Sequence, residues 1–160
     1  MFAVGNSSGA WFANEVGCKY AGDPTHPIRG IMPNTGGLPN QTAYKPTCTS
    51  KPMAGMWSHE IGDTTNPFSG NIYAIDRAMA VNGCTMGNSY ATAAFDPFPI
   101  PTAAGGMDNA SCKKMRGCPE IYPLVVCPLP GTGHGSHDNV ANYGFPVFLK
   151  LFSTGNLITQ

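Results

Sequence analysis

The chain has 160 residues, 42% of them apolar, which is enough for one domain burying roughly 70% of its unfolded surface with metal or disulfide support optional. Nine basic and nine acidic side chains cancel to a formal net charge of zero, which removes the electrostatic footprint of a nucleic-acid or acidic-membrane binder. Charged residues make up only 11% while there are 20 glycines and 15 prolines, so many turns and a weakly charged surface are expected.

In chain order, Phe2 to Val4 is a clipped strand ending at Gly5, and Gly9 to Lys19 a helix carrying Trp11, Phe12 and Val16. Pro27 to Met32 reads as a second strand and Met53 to Ser58 as a third. Ile72, Ile75 and Met79 recur at helical spacing in Asn71 to Val81, which the turn pair Asn82-Gly83 closes. The section from about 84 to 120 is rich in Pro and Gly without a clear period, and reads as a cysteine-pinned loop insertion. Tyr122 to Cys127 is a buried strand, and Phe145 to Phe152 a helix with Pro146 in its first turn. This order implies one α/β domain over 1–160, with a mostly parallel sheet of about four strands flanked by helices.

Six cysteines, Cys18, Cys48, Cys84, Cys112, Cys118 and Cys127, are many for a reducing compartment, and their even number permits full pairing, as in a secreted protein. No C-x2-C pair suggests zinc instead. Met1 is followed directly by a strand-like run and not by a secretory signal, so the signal is expected to have been removed or the chain to be part of something longer; no run approaches 18 apolar residues, so a membrane span is not expected.

The chemistry concentrates in three places. Residues 4–12, VGNSSGAWF, contain G-x-S-x-G, a pattern that is weak alone in so glycine-rich a chain. Here it sits between a strand and a helix, where a tight turn can lift Ser7 above the sheet and aim the N–H of Ser8 at a developing oxyanion. A serine nucleophile needs a base and an orienting acid, which on such an architecture follow in the order acid, then histidine, each past a strand end. Residues 59–67, HEIGDTTNP, supply Asp63, and residues 130–138, PGTGHGSHD, supply His134.

Together these residues resemble the polyhydroxybutyrate depolymerase and feruloyl esterase group of α/β-hydrolases, carbohydrate esterase family 1. GNSSGA resembles the group's TGxSSGA elbow, HEIGDTTN its HGxxDxxV, and Asn82-Gly83-Cys84, Gly117-Cys118 and YPLVVC…GTGH its cysteine-containing tail. Glu60 departs from the usual glycine, and Gly131-Thr132-Gly133-His134 from the commoner Gly-Gly-His. The resemblance implies a secreted serine esterase with Ser7, Asp63 and His134 catalytic, needing no cofactor. Its substrates would be feruloyl or acetyl esters of plant polysaccharide, or polyesters such as polyhydroxybutyrate and aromatic polyesters. Trp11, Trp57 and Phe68, with Tyr44, are candidates for an aromatic-ester pocket, although Trp57 in a buried strand also suits a core.

The group carries about four strands before its elbow, including a loop that gives a second oxyanion donor, whereas only Met1 precedes the first strand here. The chain therefore corresponds to the C-terminal half of an α/β-hydrolase fold, with an exposed edge strand, weakened activity and a homo-oligomeric state expected. A hydrolase remnant that binds a polymer or partner through aromatic residues is the alternative. A metal site at His134, His137 and Asp138 is disfavoured by Gly133 and Gly135, which oppose the helix needed to align such ligands. Asp76 and Asp138 are alternative acids, and Asn40 and Asn109 begin N-glycosylation sequons. The fifteen possible cysteine pairings stay open; Cys84 with Cys127, Cys112 with Cys118 and Cys18 with Cys48 are favoured because each would join neighbouring loop ends.

Overall fold

Side chains that are apolar on both faces of a strand place that strand in the middle of a layer, and the computed structural model, which describes residues 1–37, 51–135 and 139–152, bears this out. Strands β1 (Phe2–Asn6), β2 (Gly30–Asn34), β3 (Ala54–Glu60) and β8 (Leu124–Leu129) run parallel, side by side in that order. Ile31, Trp57, Leu124 and Val126 point to one face, where they meet Ile75 and Met79 of the covering helices. Their neighbours Met32, Met56, Val125 and Cys127 point to the other, against Phe148 and Phe152. Helices α1 (Ser8–Tyr20) and α2 (Phe68–Asn82) contact the strands of the first face. A π-helical segment, Val140–Gly144, leads into α3 (Phe145–Lys150), whose Phe148 lies in the second core.

The predicted elements are all present, with shifted bounds. The helix expected from Asn71 begins directly after Pro67: Phe68, four residues before Ile72, extends the same apolar face by one turn and lies in the same core as Ile75 and Met79. It ends as expected: Gly83 takes the left-handed conformation (φ 67°) and its N–H caps the carbonyls of Ala80 and Met79. The buried Asn82 side chain then stitches that end to the sheet, accepting from the Met53 N–H and donating to the carbonyls of Met53 and Tyr122.

Two expectations are corrected. The section 84–120 is not all loop: β7 (Lys113–Met115) and β4 (Phe95–Pro97) pair antiparallel beyond β8, extending the four parallel strands to a six-stranded sheet, and β5 (Ile100–Pro101) pairs with β6 (Met107–Asp108). Strands of two or three residues are too short to leave a period in the sequence. Two of the three favoured disulfides also differ: Cys84 is joined to Cys118 and Cys112 to Cys127. The reason is register: Lys113 lies opposite Val126, which sets Cys112 and Cys127 face to face with Cα atoms 4.1 Å apart. Cys84 follows the cap of α2, where the Thr85 N–H bonds the Gly117 carbonyl and brings Cys118 alongside. The expectations for Asn40, Tyr44 and Cys48 lie outside the described residues.

Among the described residues β1 is an edge strand, with Val4 57% exposed on it and Phe12 70% exposed on α1 beside it. Phe2, by contrast, turns inward and meets Phe145 and Phe152 edge-to-face.

Non-reducing peptide mapping should recover Cys84 with Cys118 and Cys112 with Cys127. Removing the second pair by double substitution to Ala should lower the free energy of unfolding by about 3 kcal/mol, read by urea denaturation, since it releases a short loop.

Candidate active site

The turn after β1 is where sequence and backbone geometry meet most tightly. Ser7 sits at φ 55° and ψ −119° between β1 and α1, a positive-φ conformation costly for a residue with a side chain. Its N–H bonds the Asn34 carbonyl of β2, and its carbonyl accepts from the N–H groups of Ala10 and Trp11. A Cβ on Gly5 would lie 2.0 Å from the Gly9 carbonyl oxygen, so only glycine lets the strand pass so close under the helix. The second glycine of the motif has open space around its Cβ position; the other position that must lack a side chain is Gly36, which runs against the Ser7 carbonyl. Ser8 opens α1 exposed to solvent, and the N–H groups of a helix's first turn have no intrahelical partner.

Asp63 follows β3 in a tight turn. Its Oδ1 accepts from the N–H groups of Thr65 (2.8 Å) and Asn66 (2.9 Å), which pins the carboxylate to its own backbone. Its Oδ2 accepts from His134 Nδ1 at 2.7 Å and from the ring of His59 at 3.2 Å. His134 arrives on the loop after β8, which is laced to the end of β3. The N–H groups of Ile61 and Gly62 bond the carbonyls of Leu129 and Gly131, and the Gly133 N–H donates to the Glu60 carboxylate. Glu60, the departure from the usual glycine, is thus a clasp on the histidine loop.

The structure brings Ser7, Asp63 and His134 together in one line, with Ser7 Oγ 2.7 Å from His134 Nε2. With Nδ1–H donated to the carboxylate, Nε2 is left to accept the serine proton. Asp63 is buried, and burial raises its carboxyl. The hydrogen bonds from His134, Asn66 and Thr65 and the charge of His134 outweigh that and hold it below its usual 3.8.

Trp11 is half-buried in the first turns of α1, next to the elbow. Trp57 is corrected: it is fully buried in the sheet core, its Nε1–H donating to Asn14 Oδ1 at 3.1 Å, so it lines no open pocket. Phe68 is likewise buried, edge-on to His59 and Tyr90. Asp76, the alternative acid, accepts the Tyr90 N–H instead of approaching His134. His137 and Asp138 lie outside the described residues, among which no cluster could hold a metal ion. A cavity of about 520 Å³ lies at the other end of the sheet, lined by Ile28, Arg29, Pro52 and Tyr122 ahead of β2, β3 and β8, and contains none of the three aligned residues.

The sequence reading missed the groups that surround this line. Asn66 donates to the Thr35 carbonyl and holds its amide 3.4 Å from His134 Nε2. Thr35, at φ 49°, bonds Asn6 Oδ1 through its hydroxyl and the Ser58 carbonyl through its N–H. Ser58 in turn donates to Asn34 Oδ1 at 2.7 Å. These are polar residues at the carboxyl ends of β1, β2 and β3, and only that position, not any motif, could have flagged them. No family model matches the chain, and neither does any curated protein.

Stability should fall in two stages on acidification. Desolvation holds His59 below its ordinary 6.5, so from about pH 6.5 downward the unfolded chain takes up a proton that the buried ring resists. Below about pH 4 the stabilisation from ionised Asp63 is lost as pH falls through its depressed folded value. Urea midpoints measured from pH 8 to pH 3 should show both declines, and Asp63→Asn should abolish the second.

Proposed function

We propose that the chain is a secreted serine esterase that hydrolyses carboxylic esters through an acyl-enzyme, with a site equivalent to that of the C-terminal half of an α/β-hydrolase. The observation that carries the reading is the line from Ser7 Oγ through His134 to Asp63, with 2.7 Å at each step. In it, His134 Nε2 takes the Ser7 proton as Oγ attacks the ester carbonyl carbon. The oxyanion that forms is met by the Ser8 N–H and the positive end of α1. The tetrahedral species collapses, the alcohol leaves with the proton from Nε2, and the acyl group stays on Ser7. Water then repeats the sequence, His134 again acting as base, and releases the acid. Asp63 keeps Nδ1 protonated and balances the imidazolium charge.

The substrate classes are those of the resemblance: feruloyl or acetyl esters of plant polysaccharide, or polyesters including polyhydroxybutyrate. Two disulfides suit an oxidising compartment, and no described helix is long and apolar enough to cross a membrane. Self-association belongs to the same proposal. The open edge of β1, with Val4 and Phe12 exposed beside it, is a surface on which a second copy can pair, close to where a second oxyanion donor is needed.

A burst of p-nitrophenol stoichiometric with protein is expected on mixing with p-nitrophenyl acetate. Ser7→Ala and His134→Ala should each lower kcat by about 10³-fold or more. A folded protein giving no burst would instead favour the reading as a polymer- or partner-binding module. Across a dilution series, sedimentation and esterase rate should fall together; a stable monomer with undiminished turnover would refute the link between association and activity.

A further inference from the structure

The side chain whose chemistry is least explained by the three aligned residues is His59. It is fully buried on β3, four residues before Asp63, and enclosed by Phe68, which meets it edge-on at 5.6 Å. Its Nε2 faces two acceptors, the Asn66 carbonyl at 2.7 Å and Asp63 Oδ2 at 3.2 Å, so that nitrogen must carry hydrogen. Its Nδ1 lies 2.7 Å from Asn71 Nδ2 on α2, and an amide NH2 has only donors to offer. The ring is therefore neutral in a single tautomer. The buried Asn71 Oδ1 has no hydrogen-bond partner among the described residues; because Nε2 already carries a hydrogen, a flip that set Oδ1 against Nδ1 would demand a second proton and a charge on a fully buried ring, which desolvation opposes. The charged or titratable groups acting on the ring are Asp63 and His134, and desolvation, the largest influence, disfavours a second ring proton.

We infer that His59 is a positioning residue for the His134–Asp63 pair, acting as a fixed neutral Nε2–H donor that decides how Asp63 Oδ2 meets His134. The kinetic part of this inference rests on the esterase reading; the structural part does not. The turn holds Oδ1 with two N–H groups, while Oδ2 is shared by the two histidines. Without His59, Oδ2 loses one of its two donors and the carboxylate is free to tilt about the Oδ1 contacts. His134 Nε2 then swings relative to Ser7 Oγ, since the ring is steered through Nδ1. His59 is fully buried and does not bond Ser7, so its effect passes through Asp63 and through Asn66, whose carbonyl its Nε2–H also meets. Asn71 in turn selects its tautomer.

Ring-nitrogen NMR on ¹⁵N-histidine-labelled protein should find His59 protonated at Nε2 and bare at Nδ1 at about pH 7.5. A low-field proton from His134 Nδ1–H, identified by its loss in His134→Ala, should be present in the parent protein and shift upfield or broaden away in His59→Phe. That variant should lose about 10- to 100-fold in kcat with KM unchanged. His59→Gln, which keeps an N–H at the Nε2 position, should recover most of both. The inference is overturned if His59 carries its proton on Nδ1, if His59→Phe leaves the His134 proton and kcat unchanged, or if Gln rescues no better than Phe. Should His59→Phe fail to fold, the parent tautomer and His59→Gln still decide. Absence of any esterase activity in the parent would remove the functional reading, and the two NMR signals would still judge His59.

Discussion

Four donors converge on the carboxylate of Asp63: two backbone N–H groups of its own turn and two imidazoles, one from the strand before it and one from across the sheet. A carboxylate taken out of water with fewer partners would be driven to the neutral acid. The acid would then hold the wrong hydrogen for orienting an imidazole. Ionisation at this buried position therefore depends on the ending of β3, the start of α2, which supplies Asn71, and the loop after β8 all being in register. Each of those elements has its own apolar reason to be where it is, in the two cores on either side of the sheet. The polar cluster is placed by packing and in turn fixes the loops that packing leaves free.

A second tier of buried polar side chains lies beside it. Asn34, Ser58, Thr35 and Asn66 sit at the carboxyl ends of neighbouring parallel strands, each with a hydrogen-bond partner. In a parallel sheet these ends are where the chain leaves regular pairing, so carbonyls and amides there need side-chain partners. Thr35 shows the cost of the arrangement, since a β-branched residue at φ 49° is held in a backbone conformation it disfavours. Its hydroxyl, N–H and carbonyl are all engaged, so relaxation would break three contacts. The next residue, Gly36, must then pass against Ser7.

The parallel core and the three aligned residues were legible in the sequence because they rest on local signals. Apolar runs mark buried strands, G-x-S-x-G between strand and helix marks a sharp turn, and an acid and a histidine beyond later strands follow the order of the chain. What was not legible depends on register. Nothing in the spacing of Cys84, Cys112, Cys118 and Cys127 reveals that Lys113 lies opposite Val126, and from that pairing the Cys112–Cys127 bond follows. Strands as short as Phe95–Pro97 carry no periodicity to read. His59 stood in plain view beside Asp63, but whether such a histidine faces solvent, core or carboxylate depends on which face of β3 turns towards α2. Trp57, two residues earlier, went to the core for the same reason: both side chains point towards the helix-covered face.

The lacing of the histidine loop to the end of β3 divides the site into parts of unequal stiffness. Asp63 and His134 hang from strands paired along six successive positions in the middle of the sheet, and further bonds tie the loops beyond. Among the described residues, Ser7 follows an edge strand, and its N–H is tied to the sheet through the Asn34 carbonyl of β2. Edge strands open at lower free energy than central ones. The distance from serine to imidazole is thus the soft coordinate, while the imidazole–carboxylate distance is the rigid one. Fraying of a few residues at the sheet's margin would withdraw the hydroxyl and leave the imidazole–carboxylate contact intact. Whatever covers that margin would act as a brace on the separation of the two groups.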